Sequence, residues 1–306
     1  MNSLNIAFSA GNAALTWNAI MLALGILVAV VVSGILVKKR GAYKDLALDA
    51  CIIGIPAGLI GGRVFSALSG KIAFSAFFDL TQNGLNLPGA LLFVGVGIVV
   101  WLRIKKIPIE GALDLLMPGA FFGLAVGRWS DFFLCDGLGR LAGQGVLKFF
   151  PLVTFTKAYF ADHKTVAYAV FFLDFLICAA LGITALLLLK KKLQTGKTAR
   201  VTAILYLFSE FILEWLRDGE ARQIVFGEMR FNQLVLIGML VILVILVFAS
   251  QKTKKPEPEE TADPAAEPEP EEAADPAAET EPTEPEQETP AEAESDETKE
   301  TESQKA

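Results

Sequence analysis

Residues 114–140 read DLLMPGAFFGLAVGRWSDFFLCDGLGR, an apolar run that ends on an arginine and then passes into a short stretch rich in charge and glycine. Pro118, Gly119, Gly123 and Gly127 thin the side-chain cover before Arg128, and Gly137 and Gly139 loosen the chain after it. A helix this rich in glycine that terminates in charge suits close approach to a ligand better than it suits filling space.

Working outward, the same kind of run recurs. A helix needs about 20 apolar residues to cross the hydrocarbon of a bilayer. Seven stretches qualify, at 16–37, 47–68, 85–103, 112–131, 166–189, 199–217 and 231–250. Small residues stand close together in several, such as Gly54, Ala57, Gly58, Gly61 and Gly62, as tight helix contact in lipid requires. Lys and Arg collect on alternate ends, fifteen on one side against eight on the other. Because cytoplasmic loops are enriched in these residues, the N-terminus is expected outside and the C-terminus inside. The expected fold class is therefore an all-α integral membrane protein of seven transmembrane helices. No basic residue precedes the first stretch, so the N-terminus does not read as a cleaved signal peptide.

Charge divides the chain in two. Residues 256–306 hold 20 acidic residues and two Lys, a net charge of −18, with nine of the 14 prolines and no aromatic residue. Such a segment, in which ADPAAE occurs twice, cannot bury enough apolar area to offset its ordering entropy, so a disordered cytoplasmic tail is expected. Residues 1–255 keep 25 basic and 14 acidic residues, net +11, and form the expected transmembrane domain. Cys51, Cys135 and Cys178 are too scattered to suggest a disulfide or a zinc site.

Ionisable residues inside the spans are the candidate functional residues, since each costs roughly 2.5–3.5 kcal/mol to insert. At about 1.5 Å per residue, Arg63 and Arg128 both stand about 24 Å from the cytoplasmic ends of their helices. Glu214 and Arg217 reach a similar height, with Glu210 nearer the middle. Spacings of four and three place Glu210, Glu214 and Arg217 on one helix face, and Arg128 shares a face with Asp131. Three arginines with nearby carboxylates could grip an anionic lipid headgroup, because a guanidinium offers phosphate two parallel hydrogen bonds. The competing expectation is a set of interhelix ion pairs, which is favoured for Asp174. His163, the single histidine, precedes the fifth span, where an incidental loop position and a catalytic one are both open.

These residues resemble the prolipoprotein diacylglyceryl transferase family over nearly all of residues 15–250. Asp114, Pro118, Gly127 and Arg128, followed by Asp131, Asp136, Gly139 and Arg140, resemble its D-x3-P-x8-G-R-x-G-N-F-x-N-x-E-x-x-G-R signature. GGR at 61–63, His163 with Tyr168, and Glu214 with Arg217 in FILEWLRDGE add to the likeness. The resemblance implies a bacterial plasma-membrane enzyme. It would transfer the diacylglyceryl group of phosphatidylglycerol to a lipobox cysteine thiol of a preprolipoprotein. Arg128 would bind the headgroup, helped by Arg63, Arg217, Glu214, Asp136 and Gly139, with Asp131, Glu210 or His163 as the base. No cofactor, metal or nucleic-acid partner is implied. Several positions depart from the family pattern: Pro88 replaces a histidine, Glu210 an arginine, Asp131 an asparagine, Asp136 a glutamate and Asn18 a tyrosine. Two alternatives thus stay open: an inactive paralogue that binds lipid or lipoprotein, and a small-solute transporter.

Overall fold

A computed structural model describes residues 6–10, 13–41, 43–78, 84–142, 151–159, 165–191, 195–217, 224–226 and 229–253. The expected acidic tail, 256–306, and His163 lie outside the described residues.

Every expected apolar stretch contains a long helix. They are α1 (Trp17–Arg40), α2 (Leu46–Leu68), α3 (Leu87–Ile104), α4 (Ile109–Gly127), α6 (Val170–Lys190), α7 (Lys197–Leu216) and α8 (Phe231–Thr253), with a short α5 (Trp129–Leu134) following α4. Among the described residues, five segments are long and apolar enough to cross a membrane: α1, α2, α3, α6, and α4 continued by α5 as Ile109–Leu134. Helix α7 carries Lys197, Arg200, Glu210 and Glu214, and the apolar part of α8 is the shorter Phe231–Ile245. The chain is thus a mostly helical membrane protein.

Among the described residues three short antiparallel hairpins, one before α1 and two between helices, lie in a chain expected to be all-α. They pair β1 (Ile6–Ala10) with β2 (Ala13–Thr16), β3 (Val153–Phe155) with β4 (Val166–Tyr168), and β5 (Ile224–Phe226) with β6 (Met229–Arg230). The fifth apolar stretch therefore begins as a strand: Tyr168 faces Val153, and Gly139 donates its N–H to the Tyr168 carbonyl at 2.8 Å. Strands of two to five residues are too short for a period-2 pattern to separate from the apolar runs beside them. The fourth stretch breaks at Arg128, which caps α4 and opens α5, and α5 stops at Cys135 in the left-handed region, φ 49°.

Small residues set the helix contacts. Helix α1 packs along α4 and α2 along α3, while α4, α6, α7 and α8 follow one another in contact. Gly25, Ala29 and Ser33 of α1 recur every four residues, as do Gly119, Gly123 and Gly127 of α4. A Cβ on Gly123 would stand 2.6 Å from the Gly25 carbonyl oxygen and 2.7 Å from the Ala29 Cβ. The two backbones touch, and Ser33 Oγ donates to the Leu116 carbonyl at 3.3 Å. Gly123→Leu should therefore push the pair apart and cost about 1–3 kcal/mol, read as a lower melting temperature of the detergent-purified protein. Gly238→Ala is the control, because a Cβ there meets nothing within 4 Å.

Asp114 proves to be a helix cap. Buried in α4, its carboxylate accepts from the backbone N–H of Gly196 at 2.6 Å and of Ala199 at 2.7 Å. These are orphan donors at the start of α7, which begins after Gly196 at φ +85°. This cap fixes α7 against α4, and α7 carries Glu210 and Glu214 of the candidate site, with Arg217 capping its end. Below that site, Phe121, Ala125, Cys178, Leu181, Tyr206, Leu207 and Leu236 form one apolar cluster shared by α4, α6, α7 and α8.

Candidate functional site

Arg128 occupies the break between α4 and α5, where the chain turns and its side chain enters the bundle, only 6% exposed. Its Nη2 lies 3.0 Å from Asp174 Oδ2 on α6, pairs with Glu210 Oε1 on α7 and is 3.5 Å from the Tyr206 hydroxyl. Its Nη1 is 3.8 Å from Asp131 Oδ2 on α5. Arg217 caps the C-terminus of α7 in extended geometry, φ −69° and ψ 133°. Its Nη1 reaches Glu210 Oε2 at 3.2 Å and Glu214 Oε2 at 3.0 Å, and its Nη2 pairs with Asp174 Oδ2. Glu210 and Asp174 thus each hold both guanidinium groups, and both are buried, 2% and 1% exposed.

Helical spacing produces half of this. Tyr206, Glu210 and Glu214 recur every four residues on α7, and Arg217 follows three later, so one face delivers four polar groups to one place. Burying so many charges is tolerable only because each is paired with an opposite one.

Amide hydrogen bonds extend the cluster toward α3 and α2. Asn232 Nδ2 of α8 donates to Glu214 Oε1 at 3.1 Å, and Asn86 Nδ2 donates to Asn232 Oδ1 at 2.6 Å. Asn86 Oδ1 accepts from the Gly89 N–H at 2.9 Å and so caps α3, while its own N–H donates to the Gly62 carbonyl, one residue before Arg63, at 3.1 Å. Arg63 is buried in α2, 4% exposed. Arg230 Nη1 donates to the Glu214 main-chain carbonyl, closing off the last turn of α7, and the Arg230 N–H donates to the buried Gln233 Oε1 at 3.0 Å.

Of the residues singled out from sequence, Arg128, Arg217, Asp131, Glu210 and Glu214 come together in direct contact. Arg63 adjoins the hydrogen-bonded chain through Gly62. Gly139 bridges in antiparallel fashion to Arg217, and a Cβ there would stand 2.9 Å from Val170 Cγ2 and 3.1 Å from the Tyr168 Cβ. Its missing side chain lets the 139 backbone lie against the α7 terminus. Asp136 stands outside the cluster: its carboxylate, 60% exposed, is 3.9 Å from Lys71 Nζ. Pro88 is a buried residue of the first turn of α3, beside the Asn86 cap.

Asp174, Tyr206, Asn86, Asn232, Arg230 and Gln233 escaped the sequence reading as site residues. Asp174 had a signal, being the one acidic residue in the 21 of α6. An ionisable residue at that depth is a functional candidate by default. The polar partners had none, because their contacts join positions far apart in the chain.

Chemically, the cluster is a pair of guanidinium forks aimed at one volume and filled by carboxylate oxygens. Arg128 Nε is buried with no hydrogen-bond partner among the described residues, so that edge of the fork can still donate. A phosphate diester entering here would exchange with a carboxylate for arginine donors of matching geometry.

The prolipoprotein diacylglyceryl transferase family profile matches residues 5–249. A relative named phosphatidylglycerol–prolipoprotein diacylglyceryl transferase in Clostridium kluyveri is 27% identical over 259 residues, covering 82% of this chain and 98% of that protein. The Clostridium perfringens protein of that name, numbered 1, is 25% identical over 257 residues, covering 82% and 96% respectively. One in Clostridium botulinum is 23% identical over 257 residues, covering 82% and 98%. With the profile reaching from before α1 into α8 and taking in Arg128 and Arg217, the chain belongs to the prolipoprotein diacylglyceryl transferase family.

Proposed function

We propose that this chain transfers the diacylglyceryl group of phosphatidylglycerol to the lipobox cysteine thiol of preprolipoproteins, in the plasma membrane of a bacterium. The observation that carries this reading is the family match over residues 5–249 with Arg128 buried at its signature position. The seven long helices cross the bilayer with the N-terminus outside, the orientation favoured by the fifteen-to-eight distribution of Lys and Arg. The arginine cluster then lies in the outer half of the bilayer, where a phosphatidylglycerol headgroup can reach it.

In this reading Arg128 and Arg217 hold the phosphate and stabilise the charge it gains as the glycerol carbon–oxygen bond breaks. Arg63 supports them from α2, and Asp131 lies at the rim, its side chain 24% exposed. Glu214 orients Arg217, Gly139 admits the backbone beside it, and Asp136 contributes from outside the cluster. The base that takes the thiol proton comes from the buried carboxylates or from His163. The glycerol carbon is attacked only when the thiol sulfur and the phosphate leaving group are in line, so positioning by the arginines is the main contribution of the protein.

Expression in cells depleted of their own transferase tests this: restored growth and lipid-modified prolipoprotein are expected. Correct insertion without rescue would overturn it and favour the second reading, a lipid-binding paralogue. That reading is supported by Pro88 and Glu210 at positions where the family signature carries other side chains. The acidic stretch 256–306 is taken to be cytoplasmic and to play no part in the transfer. Removing it should leave rescue unchanged, as measured by growth and by the lipoprotein mobility shift on gels.

A further inference from the structure

A cavity of about 300 Å³ opens where the end of α1, the starts of α2 and α4, the end of α6 and the start of α7 meet. Leu46, Ile107, Leu115, Leu188 and Leu189 make its walls mostly apolar, and the exposed side chains of Arg40 and Tyr43 line it too. A more open recess of about 560 Å³, lined by Arg103, Lys106, Ile109 and Glu110, adjoins it across the shared residues Ile107, Pro108 and Thr195. Both stand well away from the arginine cluster. Asp114, at the cavity wall, and Arg128, which caps α4, lie about 21 Å apart along the helix at 1.5 Å per residue.

Three cations face this space. Arg40 Nη2 donates to the Leu189 carbonyl at 2.7 Å and so ties α1 to α6 at the wall. Arg103 and Lys106 are exposed and make no ion pair among the described residues. The two acids beside them are already engaged: Asp114 accepts from the Gly196 and Ala199 amides, and Glu110 Oε2 is 3.7 Å from Arg200 Nη2. The space therefore offers positive charge to an incoming group.

The backbone singles out Lys106. Helix α3 ends with the Ile107 N–H donating to the Leu102 carbonyl at 2.9 Å and the Lys106 N–H donating to the Arg103 carbonyl at 3.1 Å. This pair of bonds needs a left-handed residue just past the helix, where glycine is the usual choice. Here it is a lysine at φ 56°. A side chain kept where its Cβ is strained points to a use for its charge.

We propose that this cavity binds an anionic phospholipid of the adjacent leaflet, with Arg40, Arg103 and Lys106 holding its phosphate and Leu188 and Leu189 meeting its chains. Basic recesses between membrane helices recognise such headgroups, and a tyrosine such as Tyr43 belongs at headgroup depth. The orientation proposed above makes this the cytoplasmic leaflet. The lipid takes no part in transfer. It holds the ends of α1, α4, α6 and α7 together at the far end of the helices that position Arg128 and Glu210.

The test uses the full-length protein in neutral detergent micelles, with bound phosphatidylserine read from native mass spectra and from the shift in melting temperature. The wild type should bind this lipid and melt higher with it than with phosphatidylcholine. Lys106→Gly and Arg40→Ala should each weaken binding about fivefold, the share of one basic side chain near an anionic lipid. Lys38→Ala, outside the cavity, should leave binding unchanged. In phosphatidylcholine alone Lys106→Gly should melt no lower than the wild type, because glycine takes a positive φ without strain, so its weaker binding is not a failure to fold. Phosphatidylserine held as tightly by both variants as by the wild type overturns the proposal, since lipid bound at the arginine cluster would behave in that way. Equal protection by inorganic phosphate or glycerol phosphate also overturns it and marks a free-anion site. None of these readouts involves transfer, so failure of the transferase reading leaves the result standing.

Discussion

Arg128→Ala should reduce diacylglyceryl transfer on the order of a thousandfold and abolish rescue of transferase-depleted cells. Three separate losses converge on this one substitution. The phosphate loses the fork that lies nearest the helix break and has a free Nε donor. Asp174 and Glu210 lose a shared cation and keep Arg217 as a guanidinium partner, while Asp131 loses its ion pair at 3.8 Å. The Tyr206 hydroxyl loses its contact at 3.5 Å, which loosens α7 against α4. Arg128→Lys keeps the charge but offers a point donor in place of a planar fork, so it should recover only part of the activity. Transfer is measured with a lipobox peptide and phosphatidylglycerol vesicles, alongside the melting temperature of each variant. A variant that melts like the wild type yet fails to transfer places the loss in chemistry. Near-wild-type transfer by Arg128→Ala would remove Arg128 from the site.

The sequence made the helices legible because each is a long apolar run, and run length is a local property that needs no knowledge of neighbours. It also made one face of α7 legible, since Glu210, Glu214 and Arg217 are aligned by helical period alone. What stayed hidden depends on contacts across the chain. Asp174 meets Arg217 from 43 positions away, and Asn86 meets Asn232 across 146. An isolated Asp in an apolar helix looks the same whether it pairs structurally or holds a site together. Asp114 shows the converse: it stands at the head of the family-like signature, yet its contacts are two backbone amides at the start of α7. The hairpins went unseen because β4, only Val166–Tyr168, is continuous in composition with the helix that follows it. Where the resemblance leads one to expect other residues, the structure supplies a local account for Pro88, which lies in the first turn of α3, and for Glu210, which pairs with two arginines at once.

That double pairing makes Glu210 the residue whose replacement should most disturb the folded protein. Glu210→Ala removes one buried carboxylate from between two guanidinium groups, and loss of one partner from a buried ion pair costs about 3–5 kcal/mol. Glu210→Arg should be worse, although it would install the residue type that the sequence resemblance leads one to expect here. A third guanidinium would stand between Arg128 and Arg217, with Asp174, Glu214 and Asp131 left to serve all three. This chain has built its pairing around an acid at 210, so restoring a single position of the motif breaks a network that sequence comparison alone would lead one to expect it to repair. Melting temperature and the yield of inserted protein should fall in the order wild type, Glu210→Gln, Glu210→Ala, Glu210→Arg. The Gln variant retains the shape and one acceptor, which is why it comes first among the three. Pairing Glu210→Ala with Arg217→Ala should recover part of the loss, because the second substitution removes one of the charges the first leaves short of a partner. If Glu210→Arg were instead as stable as the wild type and more active, the acid at 210 would be incidental, and Asp174 alone would suffice to hold the two arginines.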